Sequence, residues 1–96
     1  MDEAIEQTPR GLALRVNMGL RNGLHARPAA RLAREAQRYA ADILLISESG
    51  EVDAKSMLDI LSLAPNMDAE LLLLAKGTDA REALQGLARI FTDMQE

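Results

Sequence analysis

His25 is the single histidine of the chain and stands in the run Asn22-Gly23-Leu24-His25-Ala26-Arg27-Pro28-Ala29. A neutral imidazole nitrogen is a competent nucleophile near neutral pH. A lone histidine is usually a surface or structural residue, but four features of this run favour reactivity. A glycine turn precedes it, and the ends of elements are where reactive groups reach solvent. A helix start follows it, where unpaired amides and the helix dipole favour an anion. Arg27, two residues on, can donate charge-assisted hydrogen bonds to phosphate oxygens. Pro28 and Ala29 bring no carboxylate that would repel a phosphate. A phosphoryl group on His25 would lie over the amides of Ala26 and Arg27, because Pro28 has no amide to offer.

Other reactive sets are absent from the sequence. It has no cysteine, which removes disulfides, thiolate metal sites and cysteine nucleophiles. There is no Walker-type loop, no metal-ligand cluster and no serine–histidine–acid spacing, so nothing points to a cofactor. Aromatic residues make up 2% and the formal net charge is −4. Both facts disfavour nucleic acid, which selects basic surfaces and stacking platforms. No apolar run is long enough to cross a membrane, and the start Met1-Asp-Glu-Ala-Ile-Glu is acidic, unlike a secretory signal. The expected location is the cytoplasm.

The elements that must hold His25 follow from periodicity. Met1 to Arg10 is polar and reads as a mobile tail, leaving 11–96 as one small domain. Leu12, Leu14, Val16 and Met18 alternate with Ala13, Arg15 and Asn17, the pattern of a half-buried strand. A helix is expected from about Ala26 to Tyr39, with Ala29, Leu32, Ala33 and Ala36 as its apolar stripe. Pro28 fits its first turn, although the restriction on the residue before a proline makes Arg27 an alternative cap. Asp42–Ser47 and Glu51–Ala54 read as strands joined by Glu48-Ser49-Gly50. Ser56 caps a short helix to Leu63, which Ala64-Pro65-Asn66 ends. Leu71–Ala75 is a strand, Gly77-Thr78-Asp79 a turn and cap, and Ala80–Met94 the last helix. Gly86 inside that helix should cost about 1 kcal/mol relative to alanine. The order strand, helix, strand, strand, helix, strand, helix makes an α+β sandwich, which periodicity alone does not separate from a ferredoxin-like fold.

Gly23-Leu24-His25-Ala26-Arg27-Pro28-Ala29 resembles the active-site motif of HPr, the histidine-containing phosphocarrier family of the bacterial phosphotransferase system. Asp53-Ala54-Lys55-Ser56-Met57 followed by Leu61-Ser62-Leu63 is similar to the family's second signature. The resemblance runs from about Leu12 to Met94. It implies an open-faced sandwich, a four-stranded antiparallel sheet with three helices on one face. It implies a stoichiometric carrier and not an enzyme: His25 takes a phosphoryl group on Nδ1 from enzyme I and passes it to an EIIA-type domain. The family's phosphate-gripping arginine falls on Arg27. In some members the serine at the place of Ser56 is phosphorylated by a dedicated HPr kinase. Ala64 and Asp68 stand where the family often has glycine, and the acidic tail is an addition. These departures bear on the downstream partner, and the alternative is a regulatory, nitrogen-related module without sugar flux. A third reading is a ferredoxin-like ligand-binding domain with an incidental histidine.

Two surfaces suggest docking. Arg27, Arg31, Arg34 and Arg38 fall four, three and four residues apart and line one helix stripe. They are either a solvated face or a basic dock for acidic partners. In the short helix, Ile60 and Leu63 suit the core; Met57 and Leu61, four apart, would then face outward as an adaptable contact surface, or the helix simply lies deeper. On the open sheet face, Leu44, Ile46, Leu72 and Leu74 would form one apolar patch. Monomers seldom leave such a patch bare. Its candidate covers are the tail through Ile5, a second copy, or a neighbouring domain, and the shortness and acidity of the tail favour the homodimer or domain contact.

Overall fold

The computed structural model describes residues 4–17, 26–63 and 70–94. Among them, β1 (Glu6–Thr8), β2 (Gly11–Asn17), β3 (Asp42–Ser47), β4 (Gly50–Asp53) and β5 (Glu70–Lys76) form one sheet, with helices α1 (Ala26–Ala36), α2 (Met57–Leu63) and α3 (Ala80–Met94). The spatial order is β1-β2-β5-β3-β4, and every neighbouring pair is antiparallel. The architecture is the expected open-faced α+β sandwich, with five strands in place of four.

The extra strand lies in the segment expected to be a mobile tail. Glu6, Gln7 and Thr8 pair with Ala13, Leu12 and Gly11. The connection is the two-residue loop Pro9-Arg10, where proline pre-sets the first turn dihedral. Thr8 closes it: its hydroxyl donates to the Gly11 carbonyl at 2.8 Å and accepts from the Arg10 amide at 3.1 Å. Gly11 is required here. Its φ is 132°, and a Cβ would come 2.5 Å from the Ala75 carbonyl oxygen on β5.

Alternation places Leu14 and Val16, Ile43 and Leu45, and Leu71, Leu73 and Ala75 on the inner face, and all are buried. They meet Ala29, Leu32, Ala33 and Ala36 of α1, Ile60 and Leu63 of α2, and Ala83, Leu84, Leu87 and Phe91 of α3 in one cluster. The helix α1 ends at Ala36, three residues earlier than its periodicity suggests. Beyond it the chain tightens, with Arg38 and Tyr39 amides donating to the carbonyls of Glu35 and Ala36 at 3.1 and 3.2 Å. The Tyr39 hydroxyl then turns back to the Glu35 carboxylate at 2.8 Å. This pair lies against α3 at Gly86, where an added Cβ would overlap the Tyr39 hydroxyl. Gly86 therefore costs helix propensity to make room for a neighbouring helix.

The outer face carries the expected apolar pairs, Leu44 opposite Leu74 and Ile46 opposite Leu72. Part of their cover comes from the N-terminal segment, contrary to the expectation that the tail is too short to serve. Ile5 packs against the core cluster and not onto this patch. Arg10 supplies the cover: it lines a shallow recess with Asp42, Leu44, Leu74 and Lys76. Its guanidinium donates to both carboxylate oxygens of Glu51 on β4, at 2.8 and 2.9 Å.

Candidate functional site

His25 lies outside the described residues, as do the glycine turn before it and the Ala64-Pro65-Asn66 helix stop. The residue that follows His25 opens α1, since the helix begins at Ala26. Arg27 is thus the second helical residue and not the cap. The first four amides of a helix have no acceptor within it, so Ala26 and Arg27 hold free donors in that sense. Pro28 takes the third position, where its missing N–H breaks no helical bond, and its ring is buried. Burial of Pro28 and Ala29 fixes the helix start, while Ala26 and Arg27 are exposed.

The arginine stripe divides into two parts. Arg38 is bonded to Glu35 at 3.1 Å. Arg27, Arg31 and Arg34 are exposed and form no ion pair among the described residues. Burial raises the pKa of Glu35, but hydrogen bonds from Tyr39 and Arg38 outweigh it, and the net effect is a lowered pKa. Burial and the neighbouring Glu35 raise that of Tyr39. The polar cluster at the far end of α1 therefore holds its charge internally, while Arg27, Arg31 and Arg34 are left without an ion pair among the described residues.

Ser56 immediately precedes α2, and its hydroxyl oxygen accepts from the Asp59 amide at 3.2 Å, the capping bond expected. The preceding Lys55 ties this cap to the end of α1. Its ammonium donates to the Tyr39 carbonyl at 2.7 Å, and Gln37 donates to the Lys55 carbonyl at 2.9 Å. α1 and α2 are consequently held as neighbours.

The expected contact pair on α2 needs correction. Met57 and Leu61 are half-buried and pack against the core. Leu58 faces outward and is 76% exposed, the one large hydrophobic residue among those described to be so. Helical geometry explains it: with Ile60 buried, the residue two positions away falls on the opposite side, whereas Met57 and Leu61 lie on the flanks. Sequence reading placed Met57 and Leu61 outward as a pair four residues apart and passed over Leu58.

Among the described residues no group of acidic or histidine side chains could hold a metal ion, and no helix is long and apolar enough to cross a membrane. A three-helix open-faced sandwich whose first helix opens beside a histidine, with an exposed arginine two residues on, defines a class of small phosphoryl-carrier domains. A family profile described as the HPr component phosphorylation site of the phosphotransferase system matches residues 13–93, and the chain belongs to the HPr family. The HPr-like protein Crh of Bacillus subtilis is 42% identical over 74 residues, covering 77% of this chain and 87% of that one. The structure of the histidine-containing phosphocarrier protein of Mycoplasma superposes with a TM-score of 0.82 at 30% identity, covering 84% of this chain and 92% of the other. A crystal structure of an HPr dimer from Thermoanaerobacter tengcongensis gives a TM-score of 0.68 at 34% identity, covering 79% and 88%. Members of this family carry phosphoryl groups and are not themselves catalytic enzymes.

Proposed function

We propose that this protein is a cytoplasmic phosphocarrier that accepts a phosphoryl group from enzyme I on His25 and passes it to an EIIA-type domain. The observation that carries this reading is the start of α1. Exposed Ala26 and Arg27 follow the histidine directly, inside the matched family span. In the step proposed, the Nδ1 lone pair of His25 bonds to phosphorus as the bond from phosphorus to the donor breaks. The amides of Ala26 and Arg27 and the Arg27 guanidinium take up charge on the three phosphoryl oxygens. Arg31 and Leu58, flanked by Met57 and Leu61, form the dock for partners. Ser56 is a control point: a phosphate there, placed by an HPr kinase, adds negative charge beside that dock.

The test is incubation with phosphoenolpyruvate and enzyme I, followed by detection of an acid-labile phosphate. Wild type should be labelled, His25→Ala should be folded and unlabelled, and Ser56→Asp should be labelled more slowly. A labelled His25→Ala protein overturns the assignment. The similarity to an HPr-like protein, Crh, favours a second reading, a regulatory module of the same system without sugar flux. Transfer from the phosphorylated protein to an EIIA domain of a sugar transporter, against transfer to a regulatory one, separates the two. The dimer known for an HPr relative supports self-association as a further property of the chain.

A further inference from the structure

The outer sheet face has a cover that the family match does not include, since that match begins at Ala13 and the β1 hairpin precedes it. The cover is slight. β1 has three residues, and the Arg10–Glu51 pair that fastens its turn across the face is 56% and 43% exposed. Exposed pairs of this kind hold weakly. Beneath it lie Leu44 and Leu74, and next to them in the sheet Ile46 and Leu72, an apolar surface with no helix over it.

One row across four neighbouring strands reads Arg15, Leu72, Ile46, Glu51. It is positive at one end, apolar in the middle and negative at the other. A two-fold axis running along the strands, midway between Leu72 and Ile46, reverses this row onto itself. Two copies packed face to face would then set the two apolar centres together and Arg15 of each opposite Glu51 of the other. The row is self-complementary in the sense an isologous interface requires. In the single chain, however, Glu51 is already taken by Arg10 at 2.8 and 2.9 Å, whereas among the described residues Arg15 has a looser pair with exposed Glu70 at 3.5 Å.

We propose that the N-terminal hairpin is a latch that competes with a second copy of this chain for Glu51, and that releasing Arg10 opens the outer face to two-fold dimerisation. The cis pair weakens self-association by neutralising the charge that the second copy would use and by lying over Leu44 and Leu74. Partners of other kinds fit less well. The centre of the face is apolar, and its margin sets Asp42, Asp53, Glu70 and Glu51 against Arg10, Arg15 and Lys76, so it offers an anionic ligand no uniformly positive surface.

Sedimentation equilibrium of the full chain tests this, with circular dichroism to verify folding. Arg10→Gln, and independently Arg10→Ala, should dimerise with a dissociation constant about tenfold or more below that of wild type. Adding Arg15→Glu to Arg10→Gln should abolish the gain by opposing two carboxylates. Adding Glu51→Arg to that double variant should restore it, because the row is then reversed but complementary. Arg10 variants that associate no more tightly than wild type overturn the latch. An Arg10→Gln/Arg15→Glu protein that dimerises as well as Arg10→Gln overturns the two-fold row.

Discussion

Leu44 and Leu45 are neighbours in β3, and the sheet sends them to opposite sides. Leu45 is 1% exposed beneath the helices, whereas Leu44 is half-buried beside one arginine side chain. On the inner side, three helices contribute Leu32, Ile60, Leu84, Leu87 and Phe91, all fully enclosed. On the outer side, three strand residues and an exposed ion pair do the work. Enclosure by close-packed aliphatic and aromatic groups is cooperative and costly to undo, while a surface pair and a short edge strand can open without unfolding the rest. The helix α1, which follows His25 in the sequence, belongs to the well-held side, and the part of the molecule free to change lies on the other face of the sheet.

The largest effect should come from emptying the inner side. Phe91 is 2% exposed on α3, so Phe91→Ala should lose about 3–5 kcal/mol in denaturant unfolding. A loss no greater than that of Leu44→Ala would break the contrast between the faces, because Leu44 already borders solvent.

A smaller effect tests how tightly the helices meet. Gly86→Ala in an open helix should gain about 1 kcal/mol. Here the new methyl would displace the Tyr39–Glu35 hydrogen bond, so the substitution should be neutral or destabilising. The gain should reappear when Gly86→Ala is made in a Glu35→Ala/Tyr39→Phe background, where both overlapping oxygens are gone. A full gain in the otherwise unchanged protein would mean that Tyr39 moves aside freely.

The contrast also explains what could be read beforehand. The inner face was legible because burial imposes periodicity. Ala29, Leu32, Ala33 and Ala36 mark α1 to within three residues of its observed end, and Leu12 through Met18 mark β2 to within one residue of its observed bounds. The apolar pairs Leu44–Leu74 and Ile46–Leu72 were legible because β3 and β5 are apolar on both faces. β1 was not, since Glu6-Gln7-Thr8 has no apolar alternation. Its one signal was Thr8-Pro9-Arg10-Gly11, a turn sequence with proline second and glycine last. Leu58 was missed because seven residues with five apolar side chains fit more than one helical phase. At the site itself the motif was informative at once. Its exposed members, Ala26 and Arg27, are not set by packing, while Pro28 and Ala29 are buried and fix the start of α1.

The smallest effect compares two carboxylates on the two sides of the sheet. Asp79, at the start of α3, accepts from the Ala40 amide at 2.9 Å and the Ala41 amide at 2.8 Å. It was expected to cap its own helix, and instead it ties α3 to the chain entering β3. The Ala40 amide, assisted by that of Ala41, holds its pKa below the usual aspartate value. Glu51 is likewise lowered, by the hydrogen bond from Arg10. A carboxylate whose pKa is depressed by folding adds stability above its unfolded pKa, and that stability is lost as pH falls through the folded value. Both groups should therefore contribute at neutral pH and fade toward strong acid. They should differ in salt. The Arg10–Glu51 attraction is between exposed charges and is screened, whereas the Asp79 bonds are short contacts to fixed backbone dipoles. In thermal melts, Asp79→Asn should be less stable than wild type at neutral pH, with the difference narrowing in acid and persisting in high salt. Glu51→Gln should show the same narrowing in acid, but its deficit should shrink in high salt at neutral pH. Equal salt sensitivity for the two variants would show that the outer clasp is held no differently from the inner tie.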